Sequence, residues 1–204
     1  MSATDKNTGV DLKRRKILTG ATGVVGAAGA TFLAVPFVSS WQPSEKAKAA
    51  GAPVDIDLQA LQPGQMLTVS WRGKPVWVVR RTPEMLENLA SLDGKLRDPA
   101  SQESIQPGYC QNATRAVNPE YLVVVGICTH LGCAPLYRPA IGSPDVGADW
   151  QGGFFCPCHG SRFDLAGRVF QSVPAPTNLE IPPHRFINDH LVRIGEDPQQ
   201  EGVA

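Results

Sequence analysis

The chain has 204 residues, with 19 Lys and Arg set against 19 Asp and Glu, so its formal net charge is zero. That length suits one ordinary domain plus an appendage, and the balanced charge excludes the dominant basic surface that nucleic acid demands. A content of 20 Gly and 18 Pro points away from a helical bundle and toward a loop-rich β fold.

The chain opens with a basic cluster from Lys13 to Lys16, and from Ile17 to Ser40 no residue is charged. A helix of roughly 24 residues reaches across the bilayer core. Gly23, Gly26 and Ala30 offer a small-residue face suited to packing against other membrane helices, and Trp41 follows where an indole is favoured at the interface. A cleavable signal peptide has a similar composition, with a cleavage site at Ala47–Ala49. That site lies past charged Glu45 and Lys46, however, and the uncharged run is longer than a usual signal core. The expectation is therefore a basic N-terminus over 1–16 and an uncleaved transmembrane anchor over 17–41. Arg14-Arg15 resembles a twin-arginine signal, which suits a protein exported already folded. The positive-inside bias puts residues 1–16 in the cytoplasm and everything after Trp41 outside. Residues 42–53, QPSEKAKAAGAP, are small and polar and read as a flexible linker.

A soluble head is expected over 54–204. Gln65–Trp71 and Pro75–Arg81 flank the turn Arg72-Gly73-Lys74, a hairpin signal. Thr82 as N-cap, Pro83 at the first helical position and Glu84 in the first turn predict a short helix. Residues 93–119 read as irregular. Glu120–Ile127, EYLVVVGI, is a short β-branched run that predicts a buried strand leading straight into Cys128. His190–Gly195 reads as a closing strand after a turn at Asn188-Asp189.

Two loops carry the chemistry: CTHLGC over Cys128–Cys133 and CPCHGS over Cys156–Ser161. Cys128 and His130 form C-x-H, and Cys156 and His159 form C-x-x-H. Two thiolates and two imidazoles suit a tetrahedral zinc site. They equally suit a [2Fe–2S] cluster with Cys on one iron and His on the other. Four loop cysteines also allow a metal-free disulfide scaffold. Zinc would leave Cys133 and Cys158 without a role, and bare disulfides would leave His130 and His159 without one. The balance favours iron–sulfur over zinc, and zinc over disulfides alone.

At these residues the chain resembles the Rieske iron–sulfur proteins, and among them the Rieske subunits of bacterial ubiquinol–cytochrome c reductase (cytochrome bc1) complexes. The resemblance extends over the basic N-terminus, the anchor, the linker, the head and both loops. It also includes Ser172–Leu179, SVPAPTNL, which looks like the family's proline loop with Pro174 near the cluster. It implies a mainly β fold: an antiparallel head with a small cluster-binding subdomain within 128–176, on one N-terminal transmembrane helix. It implies that Cys128 and Cys156 ligate the buried iron, that His130 and His159 ligate the outer iron, and that Cys133 and Cys158 form a disulfide. Leu131 and Gly132 would lie at the cluster tip, and His159 would contact quinol and accept its proton. Implied partners are cytochrome b, cytochrome c1 and ubiquinol or a related quinol, in a dimeric complex of the bacterial inner membrane with the head in the periplasm. Rieske subunits of other respiratory enzymes, such as arsenite oxidase, share the loop pair and form the alternative reading.

Imidazole in place of thiolate leaves a cluster with less negative charge and a higher potential, roughly −150 to +300 mV. Reduction places negative charge beside the imidazoles and favours proton binding there. In many family members an aromatic pair ending in tyrosine follows HGS; here the stretch is GSRFD, with Phe163 at the tyrosine position and Ser161 retained. Loss of that hydroxyl donor implies a lower midpoint. Cys110 reads as a buried free thiol, His184 and His190 as structural or solvated, and residues 138–153 as a surface excursion.

Overall fold

The computed structural model describes residues 11–198. Two compact units divide the chain, up to Lys48 and from Ala49 onward.

In the first unit, α1 spans Leu12–Ser39. It starts earlier than the expected anchor because Asp11 caps it: the carboxylate accepts from the backbone N–H of Lys13 (2.9 Å) and of Arg14 (3.2 Å). The helix thus takes in the basic cluster Lys13–Lys16, while residues 1–10 of the expected basic N-terminus lie outside the described residues. None of its residues is buried, and it is long and apolar enough to cross a membrane. Within the segment expected as a flexible linker, Glu45–Ala50 form the short helix α2. Ser44 Oγ accepts from the Ala47 N–H at 3.2 Å, and Glu45 pairs with Lys48 at 2.7 Å. One capped turn and an exposed ion pair explain why helix forms there, although so short a helix is marginal by itself in water.

The second unit contains three three-stranded antiparallel sheets. β1 (Val54–Asp57), β9 (Leu191–Ile194) and β8 (His184–Asn188) form one, in the order β1-β9-β8. The second is the meander β2 (Met66–Trp71), β3 (Lys74–Arg80) and β4 (Tyr121–Val125). The third holds β5 (Leu136–Arg138), β6 (Gly153–Cys156) and β7 (Ser161–Phe163). The expected hairpin, the helix α3 (Pro83–Ser91) with Thr82 as its cap, and the strand before Cys128 all form.

β3 and β4 explain the architecture. Successive strand side chains point to opposite faces. On one face Val76, Val78, Tyr121, Val123 and Val125 pack with Ile56, Val192 and Ile194 of the first sheet. On the other, Trp77, Val79, Leu122 and Val124 pack with Phe154, Phe163, Cys128 and Cys156. A strand buried on both faces needs apolar residues at every position, which is why Tyr121–Val125 is an uninterrupted apolar run. β4 then delivers Cys128 to the end of this sheet, and β6 delivers Cys156 from the third. Tyr137 on β5 ties that third sheet to the meander, donating its hydroxyl to the Gly64 carbonyl at 2.9 Å.

The long connection between β5 and β6 is more than a surface excursion. Arg138 and Gly153 at its ends are paired strand residues, and Trp150 is buried, donating from Nε1 to the Arg138 carbonyl at 2.8 Å. Gly126, just after β4, lies against the Trp77 indole, and a Cβ there would clash with the ring. Trp77 stacks on Phe154 at 5.3 Å between centroids, so it cannot yield without moving the layer beneath the cysteines. Gly126→Ala is expected to lower unfolding stability by about 1–3 kcal/mol, the usual cost of overpacking a core, read as a lower urea midpoint.

Candidate metal centre

The two cysteine loops share one construction. In the first, the Cys128 N–H donates to the Cys133 carbonyl (2.7 Å) and the Gly132 N–H to the Cys128 carbonyl (3.0 Å). In the second, Cys156 pairs with Ser161 across the β6–β7 hairpin, and the Gly160 N–H donates to the Cys156 carbonyl at 2.9 Å. Each is a six-residue turn whose fifth residue is a left-handed glycine, Gly132 at φ 85° and Gly160 at φ 75°. Only glycine takes that conformation freely, so the two Gly residues curl both loops the same way.

This curl gathers the predicted residues. Cys128 and Cys156 are buried and free. Cys133 and Cys158 are joined in a disulfide, with Cα atoms 6.8 Å apart, and their sulfurs lie within 4.8 Å of the Cys156 sulfur. The bridged pair cannot supply thiolates, so this sulfur trio is a cross-link beside a free thiol, not a three-cysteine metal site. The imidazoles of His130 and His159 meet edge to face, 4.7 Å between centroids. His159 is exposed and His130 half-buried, and His130 Nδ1 is buried with no hydrogen-bond partner in the protein. A buried polar atom without a partner is costly; a metal ion accepts that lone pair. Burial pushes the Cys128 thiol up, while hydrogen bonds from the His130 backbone N–H and the Ser161 hydroxyl favour its thiolate. The donor set therefore fits a [2Fe–2S] cluster held by two buried sulfurs and two outer nitrogens. Leu131, 71% exposed, and Gly132 stand at the tip.

The segment Ser172–Leu179 closes the third side. Thr129 Oγ1 donates to the Thr177 carbonyl at 2.7 Å, and the Ala175 N–H donates to Ser161 Oγ at 3.1 Å. The segment thus bonds both cysteine loops, and Ser161 keeps its own proton to donate inward. Pro174 is exposed, next to buried Ala175. Phe163 is fully buried in the apolar group that contains Cys128 and Cys156. Cys110 belongs to the same group, and burial pushes its thiol up to about 11, so it stays neutral. His184 is buried as well, with Nδ1 2.9 Å from the Pro182 carbonyl.

Sequence reasoning left out the frame behind the loops. The turn Asp164–Arg168 joins β7 to Ser172–Leu179. Asp164 is fully buried and accepts from the N–H of Ala166 (2.9 Å), the N–H of Arg168 (2.8 Å) and Arg168 Nε (2.8 Å). Residues 93–119, irregular as expected, supply the other support. Asp98 accepts from the N–H groups of Gln102 and Glu103 and from the Ser104 hydroxyl. Asn178 donates from Nδ2 to the Asp98 carbonyl and Ser101 Oγ, and from its N–H to Ser104 Oγ. The spacing of Asp164, Gly167 and Arg168 around a turn was the signal available in the sequence.

The head and its paired loops are those of a Rieske-domain protein. Residues 53–183 match the family described as the Rieske [2Fe-2S] domain, and residues 4–44 match the one described as the ubiquinol–cytochrome c reductase Fe-S subunit TAT signal. The ubiquinol-cytochrome c reductase iron-sulfur subunit of Allochromatium vinosum is 62% identical over 189 residues, which cover 93% of this chain and 91% of that one. The subunit of the same description from Blastochloris viridis is 42% identical over 184 residues, 89% and 92% of the two chains. A chain of a solved hyperthermophilic respiratory Complex III superposes with a TM-score of 0.45 at 31% identity, over 86% of this chain and 98% of that one. The chain belongs to the Rieske iron–sulfur subunits of ubiquinol–cytochrome c reductase, and its cofactor is a [2Fe–2S] cluster.

The hydrogen bonds on Asp98 give a pH prediction. Burial opposes its charge, but the Ser104, Gln102 and Glu103 donors and the nearby Arg115 charge outweigh burial and hold the carboxyl below its usual value of 3.8. A lowered carboxyl pKa adds stability that is present above the unfolded value and lost as pH falls through the folded one. Asp98→Asn is expected to cost about 1.5–3 kcal/mol at pH 7, the range for hydrogen bonds to a charged group. Its stability should also fall less than that of the unsubstituted protein below pH 3.8, as urea midpoints at pH 7 and pH 3 would read.

Proposed function

We propose that Cys128 and Cys156 hold the buried iron, that His130 through Nδ1 and His159 hold the outer iron, and that His159 is the contact with quinol. The observation that carries the reading is the pairing of two buried free thiols with two touching imidazoles at an exposed, apolar tip. The chain is the electron-transfer subunit of a quinol–cytochrome c oxidoreductase, and when bound the cluster supplies a one-electron acceptor.

The side chains do the rest. His159, exposed at the tip, presents the ring nitrogen not used for ligation. It accepts a hydrogen bond from a quinol hydroxyl and takes the proton as the electron leaves. Leu131 and Gly132 give the tip an apolar, low-profile surface on which a quinone pocket can close, and the disulfide holds both loops in register against it. Ser161 donates toward the inner sulfurs, stabilising the added negative charge of the reduced state. The partners are the cytochrome b and cytochrome c1 subunits of a dimeric complex, with ubiquinol or a related quinol as donor and a c-type cytochrome as acceptor. The helix α1 anchors the subunit in the bacterial inner membrane, with its N-terminus in the cytoplasm and the head in the periplasm. Residues 42–53 connect anchor to head and let the head move between donor and acceptor.

Low-temperature EPR on reduced native membranes tests this reading. A Rieske signal whose shape changes with an inhibitor of the quinol-oxidation site is expected. A signal indifferent to the inhibitor would move the protein to another respiratory complex, and no signal would return the site to zinc or to disulfides alone.

Phe163 supplies a second test. Its ring packs beside the ligand sulfurs but carries no donor. Phe163→Tyr adds a hydroxyl there and is expected to raise the midpoint potential; an unchanged or lower midpoint would remove Phe163 from the tuning residues.

A further inference from the structure

Two cations are buried in the head without an anion in contact. Arg81 is 2% exposed and Arg115 fully buried. Arg81 donates from Nε to the Pro119 carbonyl (2.9 Å), and from one terminal nitrogen to the carbonyls of Thr114 (2.8 Å) and Leu165 (3.1 Å). Arg115 donates from one terminal nitrogen to the carbonyls of Ala166 (3.2 Å) and Gly167 (3.3 Å), and from the other to Gln106 Oε1 (2.9 Å). Every acceptor is neutral, and the second terminal nitrogen of Arg81 and Nε of Arg115 have no hydrogen-bond partner among the described residues. Arg168 differs: it pairs with Asp164 and with Asp93, both at 2.8 Å. Three guanidiniums therefore face two buried carboxylates, Asp164 and Asp98, while Asp93 has a side chain 56% exposed, where solvent screens it. A buried cation in excess is expensive and calls for an anion nearby.

The redox site is where that anion forms. The turn whose carbonyls hold both arginines begins directly after Phe163, which packs with Cys128 and Cys156. A Cβ built on Gly167 would lie 3.3 Å from an Arg115 terminal nitrogen, 3.3 Å from Leu179 Cβ and 3.5 Å from Val124 Cγ2. Leu179 and Val124 belong to the same apolar group as the two free cysteines. The guanidinium thus borders the same apolar group as the thiol pair, and such a medium screens charge far less than water does. Two ferric ions, two sulfides and two thiolates sum to zero charge. One electron from quinol converts one ferric ion to ferrous and leaves the assembly with one negative charge.

We infer that Arg81 and Arg115 are electrostatic tuning residues of the redox centre: fixed, buried cations that favour its reduced form and raise its midpoint potential. This rests on the ligand assignment under the proposed function. Neither side chain touches the cluster site, so its effect comes through the field and not through a bond.

The test is an EPR-monitored redox titration, at fixed pH, of the full chain in its membrane complex. Arg115→Gln and Arg81→Gln are expected to lower the midpoint, and Arg115→Lys and Arg81→Lys, which keep the charge, to hold it near the unsubstituted value. Asp164→Asn, which removes a buried negative charge from the same turn, is expected to shift it upward. Opposite shifts from the arginine and aspartate variants separate charge from mere loosening, which would move all in one direction. Because the cations are buried, the shifts should persist at high salt. Unmoved midpoints, or downward shifts in every variant including Asp164→Asn, would overturn the inference. Loss of the signal in both variants of one arginine assigns that side chain to folding alone and passes the decision to the other; loss in all four overturns the proposal. A missing signal in the unsubstituted protein would instead overturn the ligand assignment beneath it.

Discussion

The burial of Asp164 is the constraint on which the site depends. Its carboxylate accepts three hydrogen bonds from its own turn, and the guanidiniums of Arg81 and Arg115 fasten the same turn by its carbonyls. That turn carries the chain from the strand leaving the second cysteine loop toward the proline-rich segment that covers both loops. Burial draws Arg81 and Arg115 down to about 10, with Asp164 opposing the fall, so both stay charged at neutral pH. Removing one charge from such a group leaves the others uncompensated, commonly at a cost of about 3–5 kcal/mol. The site's rigidity is thus bought with buried charge in its frame, while Leu131 and His159 stay exposed.

The parts legible in the sequence were those whose cause is local. Thr82-Pro83 announces α3 because cap and first-turn chemistry act within four residues. Arg72-Gly73 announces the β2–β3 hairpin, and the unbroken apolar run of β4 announces a strand buried on both faces. The candidate centre was legible because its free thiols and histidines crowd into two six-residue stretches. What stayed illegible is held by distant partners. Asn178 is ordered by Asp98 and Ser101, some 80 positions earlier, and nothing periodic in residues 93–119 hints at it. Nothing in the sequence marks Arg81 and Arg115 as buried, since a single sequence does not show which guanidinium is enclosed. Residues 45–50 looked like linker because one turn of helix needs only a capping Ser and an ion pair. The glycine in fifth place of both CTHLGC and CPCHGS was readable, and it encodes the shared curl of the loops.

Two separate devices converge on the same sulfurs. Hydrogen bonds from the His130 backbone and the Ser161 hydroxyl act on them directly, at contact distance. Arg81 and Arg115, bonded to the carbonyls of the supporting turn, act through apolar packing. Membership of the Rieske subunits of ubiquinol–cytochrome c reductase gives the centre its chemistry; the surrounding residues adjust how readily it accepts charge. Phe163 packs with the same cysteines, a wholly apolar ring that offers them no donor.

The pairing of β1 with β9 sets the order in which the head can be made. The strand that follows the anchor and linker finds its hydrogen-bonding partner only at the far end of the chain; the Asp55–Arg193 ion pair that reinforces it joins residues 138 positions apart. Contacts so distant form late, after the cost of closing a long loop has been met. During synthesis β1 has no partner strand until Leu191–Ile194 has been made. A truncation that spares every cysteine and histidine but removes Leu191–Ile194 would still strip the central strand from that sheet and release the point where head meets tether. Closure of that sheet is thereby tied to synthesis through Ile194, which suits an N-terminus matching a signal that hands over finished proteins.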